Sequence, residues 1–224
     1  MQKRGSHKSS ENNGVKGVIF DLDGTLIDSF EAIMEGFNSA LPHYGLKLLT
    51  LEETKSLVGN PLKDTLAIMV GEDKAEEATI IFRKRYKDVY LDKTRPMPYA
   101  DEIVKKFHSK GLKLGVATNK HGGFSRKIVE HLGWGDAIES VVGEGDTPQS
   151  KPEPDMIFQN LENLSIAREE ALFIGDSPVD LQTGENALVK TIAVPTGHHS
   201  KEMLIEAGAS VVIEDLSFLE EAVF

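Results

Sequence analysis

Short apolar runs recur along the chain at Val15–Phe20, Leu112–Thr118, Ile138–Val142, Ala171–Ile174, Thr191–Val194 and Ser210–Ile213. Each is mostly apolar on both faces and closed by Gly, Asp or Pro, which predicts strands covered on both sides in a parallel sheet. Between them lie segments with apolar residues at helical spacing: Tyr99–Lys110, Phe124–His131, Pro154–Leu164 and Val179–Ala187. In the first of these, Ile103, Val104 and Phe107 share a face, and Gly111 supplies a left-handed stop. Strands alternating with helices predict a doubly wound α/β sheet of Rossmann-like form. From Leu26 to Pro98 the alternation stops. Ser29–Leu41, Leu51–Leu57, Leu62–Val70 and Lys74–Leu91 all read as helix, with no strand run among them. Asp28 before Ser29, with Glu31 after it, predicts a capped helix start. The expected organisation is therefore a core of residues 15–27 and 96–224, an all-helical insert at 28–95, and an unstructured tail at 1–14.

Composition narrows the class. The 224 residues carry 25 Lys+Arg against 36 Asp+Glu, a net charge of −11. So acidic a chain is unsuited to nonspecific nucleic-acid binding, which needs a basic surface. No apolar run is long enough to span a bilayer, and the polar amino terminus lacks the apolar centre of a secretory signal, so a cytoplasmic location is expected. With no cysteine there is no disulfide, thiolate metal site or cysteine nucleophile. Monomer and homodimer both remain open.

In an open parallel sheet, ligands sit beyond the carboxyl ends of the strands. The first strand ends in Asp21-Leu22-Asp23-Gly24-Thr25, the second in Thr118-Asn119, and a later one in Gly175-Asp176-Ser177 with Asp180 following. Lys151 lies in another such loop. Asp21 and Asp23, two apart, point to one side of an extended chain. Crowded carboxylates are relieved by a divalent cation or a proton, and an all-oxygen set suits Mg²⁺. Gly24 lets backbone approach an anion closely. Together these residues predict phosphoryl transfer. A carboxylate about 4 Å from a phosphate dianion faces roughly 8 kcal/mol of repulsion at an effective dielectric near 20, so cations are needed before Asp21 can attack.

The string FDLDGTL (Phe20–Leu26), Thr118-Asn119, Lys151 within KPEP and GDSPVD (Gly175–Asp180) resemble the four ordered motifs of the haloacid-dehalogenase superfamily. The resemblance covers nearly the whole chain from Val15, and the helical insert resembles the small cap of the first subclass. FDLDGTLIDS, VATNK and VVGEGDTPQSKPEPD are most similar to its phosphoglycolate phosphatase branch. The resemblance implies that Asp21 is the nucleophile forming an aspartyl-phosphate and that Asp23 is the acid and base. It implies that Thr118 and Lys151 hold phosphate oxygens. It further implies that Asp21, the Asp23 carbonyl and Asp176 bind Mg²⁺, with Asp180 in support. The substrate expected is a small phosphorylated metabolite, best matched by 2-phosphoglycolate; a sugar-phosphate mutase or a pyrophosphatase on the same core is the alternative. Two positions depart from the branch: Leu188 and Glu144 both stand where a glycine is common.

Other features read more plainly. Gly59-Asn60-Pro61 could bring backbone, Asn60 and the nearby Lys63 onto the leaving group, with Gly24 and Asn119 lining the phosphate side. His198-His199 is expected in an exposed loop, Trp134 as packing under a turn, and Arg83-Lys84-Arg85 as a solvated helix face. A receiver-type signalling module is opposed by motif order, because there the lysine comes last. A dinucleotide site is opposed by the lack of G-x-G-x-x-G after the first strand.

Overall fold

A computed structural model describes residues 14–224, so the expected tail falls almost wholly outside the described residues. Seven strands and ten α-helices follow in chain order among these residues. The central sheet comprises β1 (Gly17–Phe20), β4 (Lys113–His121), β5 (Ile138–Glu144), β6 (Ala171–Gly175) and β7 (Lys190–Ala193). All neighbours are parallel, in the order β5-β4-β1-β6-β7. β1 is central and every one of its residues is buried, which accounts for its unbroken apolar run. Helices α5 (Ala100–Ser109), α6 (Gly122–His131), α7 (Asp155–Leu164) and α8 (Pro178–Ala187) cover the faces. Two short helices, α9 (Lys201–Glu206) and α10 (Leu219–Val223), follow β7.

The insert contains α1 (Phe30–Ala40), α2 (Leu51–Lys55), α3 (Leu62–Val70) and α4 (Glu72–Val89). α4 buries Ala75, Ala78, Thr79, Phe82, Tyr86 and Val89, a stripe at helical spacing. α1 and α3 pack against it. The stripe continues onto the sheet layer through aromatics: Tyr86 and Tyr90 meet Phe124 of α6 edge-on, at 5.1 and 5.0 Å between ring centroids. Such edge contacts add about 0.5–1.5 kcal/mol each beyond their burial. Two residues of β2 (Ile27–Asp28) pair antiparallel with β3 (Arg95–Pro96), bringing the two ends of the insert side by side. No helix among the described residues is long and apolar enough to cross a membrane.

Several sequence expectations need correction. Ser210–Ile213 is not a strand; it meets β7 at a single bridge between Val212 and Ala193. Gly208, at φ +99°, feeds it in and the chain turns off at Leu216, leaving room for only two backbone bonds. The capped start at Asp28 is only half present. Asp28 accepts from the Phe30 amide at 3.2 Å, but Glu31 pairs with Lys93, and the Ser29 hydroxyl donates to Asp23 instead. Leu188 ends α8 at φ +55°, a left-handed conformation that glycine would adopt without strain. Trp134 behaves as expected: it is fully buried, with its indole N–H donating to Asp101 at 3.1 Å.

Candidate active site

The loop after β1 is folded tightly on itself. The Leu22 carbonyl accepts from the amides of Leu26 and Ile27, each at 2.9 Å, which turns Asp21 and Asp23 to the same cavity. Gly24, at φ +84°, is essential to this turn. A β-carbon there would lie 2.5 Å from Asp176 Oδ2, so only glycine lets the loop approach the β6 carboxylate this closely. Thr25 Oγ1 completes the junction by donating to Asp176 Oδ1 at 2.7 Å.

Lys151 is 1% exposed and its Nζ lies 2.8 Å from Asp21 Oδ1 and 2.7 Å from Asp180 Oδ1. Asp180 also closes a capping box at the start of α8: its Oδ2 accepts from the Ser177 amide at 3.0 Å and hydroxyl at 2.6 Å. Both its oxygens are thus engaged by protein donors. Asn119 is a hub. Its Oδ1 accepts from the Lys151 amide at 2.9 Å, while its Nδ2 donates to the carbonyls of Lys151 at 3.0 Å and Gly59 at 2.8 Å. The last bond ties the turn of the insert, with Gly59 at φ +113°, directly to the strand end. Thr118 is buried beside it, its Oγ1 accepting from the Lys120 amide at 3.2 Å.

Asp21, Asp176 and Asp180 each offer a carboxylate oxygen within 4.8 Å of the others, and all three are buried. Asp21 Oδ1 is buried against the Lys151 ammonium, 2.8 Å away. Three buried carboxylates set against the one ammonium of Lys151 leave excess negative charge on oxygen donors, which fits a divalent oxygen-seeking cation such as Mg²⁺. Burial pushes the Asp21 carboxyl from 3.8 up to about 7, against the pull of Lys151 and with a further push from Asp180. Asp176 is raised well above its ordinary value by burial and then by Asp180 and Asp21. Burial alone would lower Lys151, but Asp180 and Asp21 outweigh it and hold the ammonium charged.

A linkage prediction follows from Asp21. Its folded value lies above its unfolded value of 3.8, so the stability it contributes is complete below that pH and is lost as pH rises through about 7. Without divalent cation, the melting temperature of the wild type relative to Asp21→Asn is expected to fall between about pH 5 and about pH 8. Millimolar Mg²⁺ should reverse the fall at the upper end by binding the ionised cluster. A pH-independent difference between the two proteins would refute it.

Several partners escaped sequence reasoning. Lys120 is 7% exposed in its side chain and sits 2.9 Å from Asp23 Oδ2, with Tyr86 beneath it at 4.8 Å. Asp23 Oδ1 takes the Ser29 hydroxyl. Lys120 directly follows Thr118-Asn119, the one signal that could have marked it. Arg83 does not lie on a solvated face; it lines the cavity shared with Asp21 and Asp23 and pairs with Glu144 at 2.5 Å. Its neighbour Arg85 is half exposed and bound to Glu35. Lys63 is not brought to the cavity, because it points along the insert to Glu76 at 2.9 Å with both side chains more than half exposed. Asn60 and Gly59 do line it. His198 is exposed as expected, but His199 is half-buried beside Asp21, Asp176 and Ser177 with Nδ1 unpartnered. Burial and then His198 lower its basicity.

The profile of the haloacid dehalogenase-like hydrolases matches residues 18–194. The chain belongs to that family. Among relatives of this hydrolase, the phosphoglycolate phosphatase of Psychrobacter arcticus is 30% identical over 213 residues, covering 90% of this chain and 93% of its own. The phosphoglycolate phosphatase of Rhodospirillum rubrum is 32% identical over 215 residues, covering 91% and 89%. A protein provisionally named pyrophosphatase PpaX, from Caldanaerobacter subterraneus, is 32% identical over 204 residues, covering 90% and 91%. The crystal structure of a predicted phosphatase from Clostridium acetobutylicum superposes with a TM-score of 0.86 at 28% identity, covering 93% of this chain and 98% of that one.

Proposed function

We propose that this hydrolase is a cytoplasmic, Mg²⁺-dependent phosphatase of a small phosphorylated metabolite, with 2-phosphoglycolate the best candidate. The observation that carries the reading is Asp21 itself. It is an acceptor held by a buried ammonium at the carboxyl edge of the sheet, facing a cavity that the helical insert closes. Relatives named phosphoglycolate phosphatase, alike over nine-tenths of the chain, supply the substrate.

In this mechanism an Asp21 carboxylate oxygen attacks phosphorus, forming a P–O bond while the bond to the leaving oxygen breaks. Asp23 gives a proton to that oxygen and the alcohol departs. The resulting Asp23 carboxylate takes a proton from water, whose oxygen attacks phosphorus and returns Asp21 as carboxylate and free phosphate. Ser29 and Lys120 fix the orientation of Asp23 through both its oxygens. Lys151 and the Thr118 hydroxyl hold phosphate oxygens. Asp21, the Asp23 carbonyl and Asp176 would hold Mg²⁺, with Asp180 steadying Lys151 and the β6 loop. When bound, the cation supplies the charge that lets a dianion sit against Asp21.

Phosphate release should therefore be rapid for one ester in a panel of 2-phosphoglycolate, hexose phosphates, nucleoside monophosphates and pyrophosphate. Chelation with EDTA should remove it, and added Mg²⁺ should restore it. Turnover indifferent to chelation, or release from no member of the panel, would count against the proposal. Conversion of a sugar phosphate to its isomer without phosphate release would point to a mutase.

A further inference from the structure

The cavity at the carboxyl edge of the sheet runs from Asp21 and Asp23 outward beneath the insert and encloses about 80 Å³. Its walls are largely apolar, with Ile33, Phe37, Leu57, Leu62, Phe82 and Phe124 contributing. Only two of its lining residues are lysine or arginine, Lys120 and Arg83. Lys120 is committed to Asp23. Arg83 is not fully committed. Its Nη2 donates to Glu144, while its Nε is buried and has no acceptor. The side chain is one third exposed, but its buried Nε is a donor without a partner, which is costly unless something fills it.

On the phosphatase reading above, we propose that Arg83 is a specificity-determining residue that binds a carboxylate on the substrate's leaving group. A guanidinium presents its donors in a flat fork that matches a carboxylate and stays charged throughout the accessible pH range. Glu144 fixes that fork from β5 and engages it through Nη2 alone. The apolar walls strengthen the pairing by lowering the local dielectric. They also seat a leaving group only a few carbons long between the phosphate end and Arg83. A neutral leaving group would satisfy the walls but leave Nε unpaired.

The test compares kcat/KM for 2-phosphoglycolate and for ethyl phosphate, which replaces the carboxylate by a methyl group, in wild type, Arg83→Lys and Arg83→Ala. Wild type should prefer 2-phosphoglycolate. Both variants should lower the ratio between the two esters by about 10- to 100-fold, chiefly through KM for the acid. Melting curves establish that each variant is folded, and the wild-type ratio stands as a readout should a variant fail to fold. Parallel losses on both esters would overturn the proposal and leave Arg83 a structural tie to Glu144. A wild type that hydrolyses ethyl phosphate as well as the acid would overturn it while leaving the phosphatase reading intact. An Arg83-dependent preference for pyrophosphate would overturn the carboxylate assignment. Turnover of no phosphate ester would overturn both readings together.

Discussion

Asp21→Asn is expected to abolish phosphate release, by on the order of 10³-fold or more in kcat, because an amide cannot carry the phosphoryl group. The same change should leave the fold as stable or make it more stable. Burial raises the Asp21 carboxyl to about 7, so the ionised group is a liability in the cation-free protein at neutral pH, and asparagine removes it. Lys151 keeps a partner, since Asp180 remains 2.7 Å away. Loss of turnover with an unchanged or higher melting temperature would assign Asp21 to chemistry. Loss of both would mean that the inactive variant is simply unfolded, and near-normal turnover would remove Asp21 from the reaction.

Lys151→Met should act on stability and activity together. The ammonium is 1% exposed and bridges Asp21 and Asp180, so its removal leaves two buried carboxylates facing each other. Breaking a buried ion pair from one side costs about 3–5 kcal/mol. In a chain of this size that is roughly 6–20 °C in melting temperature. The deficit should shrink at about pH 5, where the abandoned Asp21 carboxyl takes up a proton, and widen towards about pH 8. Turnover should drop by on the order of 10²-fold or more even where the variant is folded, because a charge that stabilises the transferring phosphoryl group is gone. A pH-independent melting deficit, or full turnover in the folded variant, would contradict this account.

The two outcomes differ because of what surrounds each group, and that contrast marks where the sequence stops informing. Strand ends were partly legible: β1 and β6 give way to Asp21 and Asp176 as the apolar runs predict, whereas β4 runs three residues past Thr118, to His121. The helices of the insert were legible too, since α1, α3 and α4 each carry a 3.6-residue stripe. Where a helix faces is another matter. On α4, Arg83 lies four residues after Thr79 and three before Tyr86, at the border of the buried stripe. Nothing local shows that this border meets the cavity and Glu144, whereas Lys63, nearer to the Gly59 turn, points to Glu76. His199 likewise sits in a loop whose sequence reads as exposed, yet the loop folds back beside Asp176.

The sequence alone determined the sheet, the order of its motifs and the identity of the acids, threonine and lysine at its carboxyl edge. It could do so because a parallel sheet delivers every strand's end to the same side, so chain order and burial pattern suffice to assemble them. Only the tertiary structure decided who partners whom: Lys151 between two carboxylates, Asn119 on the insert's turn, Lys120 and Ser29 on Asp23, and Arg83 half-satisfied over the cavity. Those pairings depend on how the insert docks across the sheet edge, through contacts between residues 60 positions apart and more. Helical periodicity sets which residues share a face, and docking alone sets what that face meets.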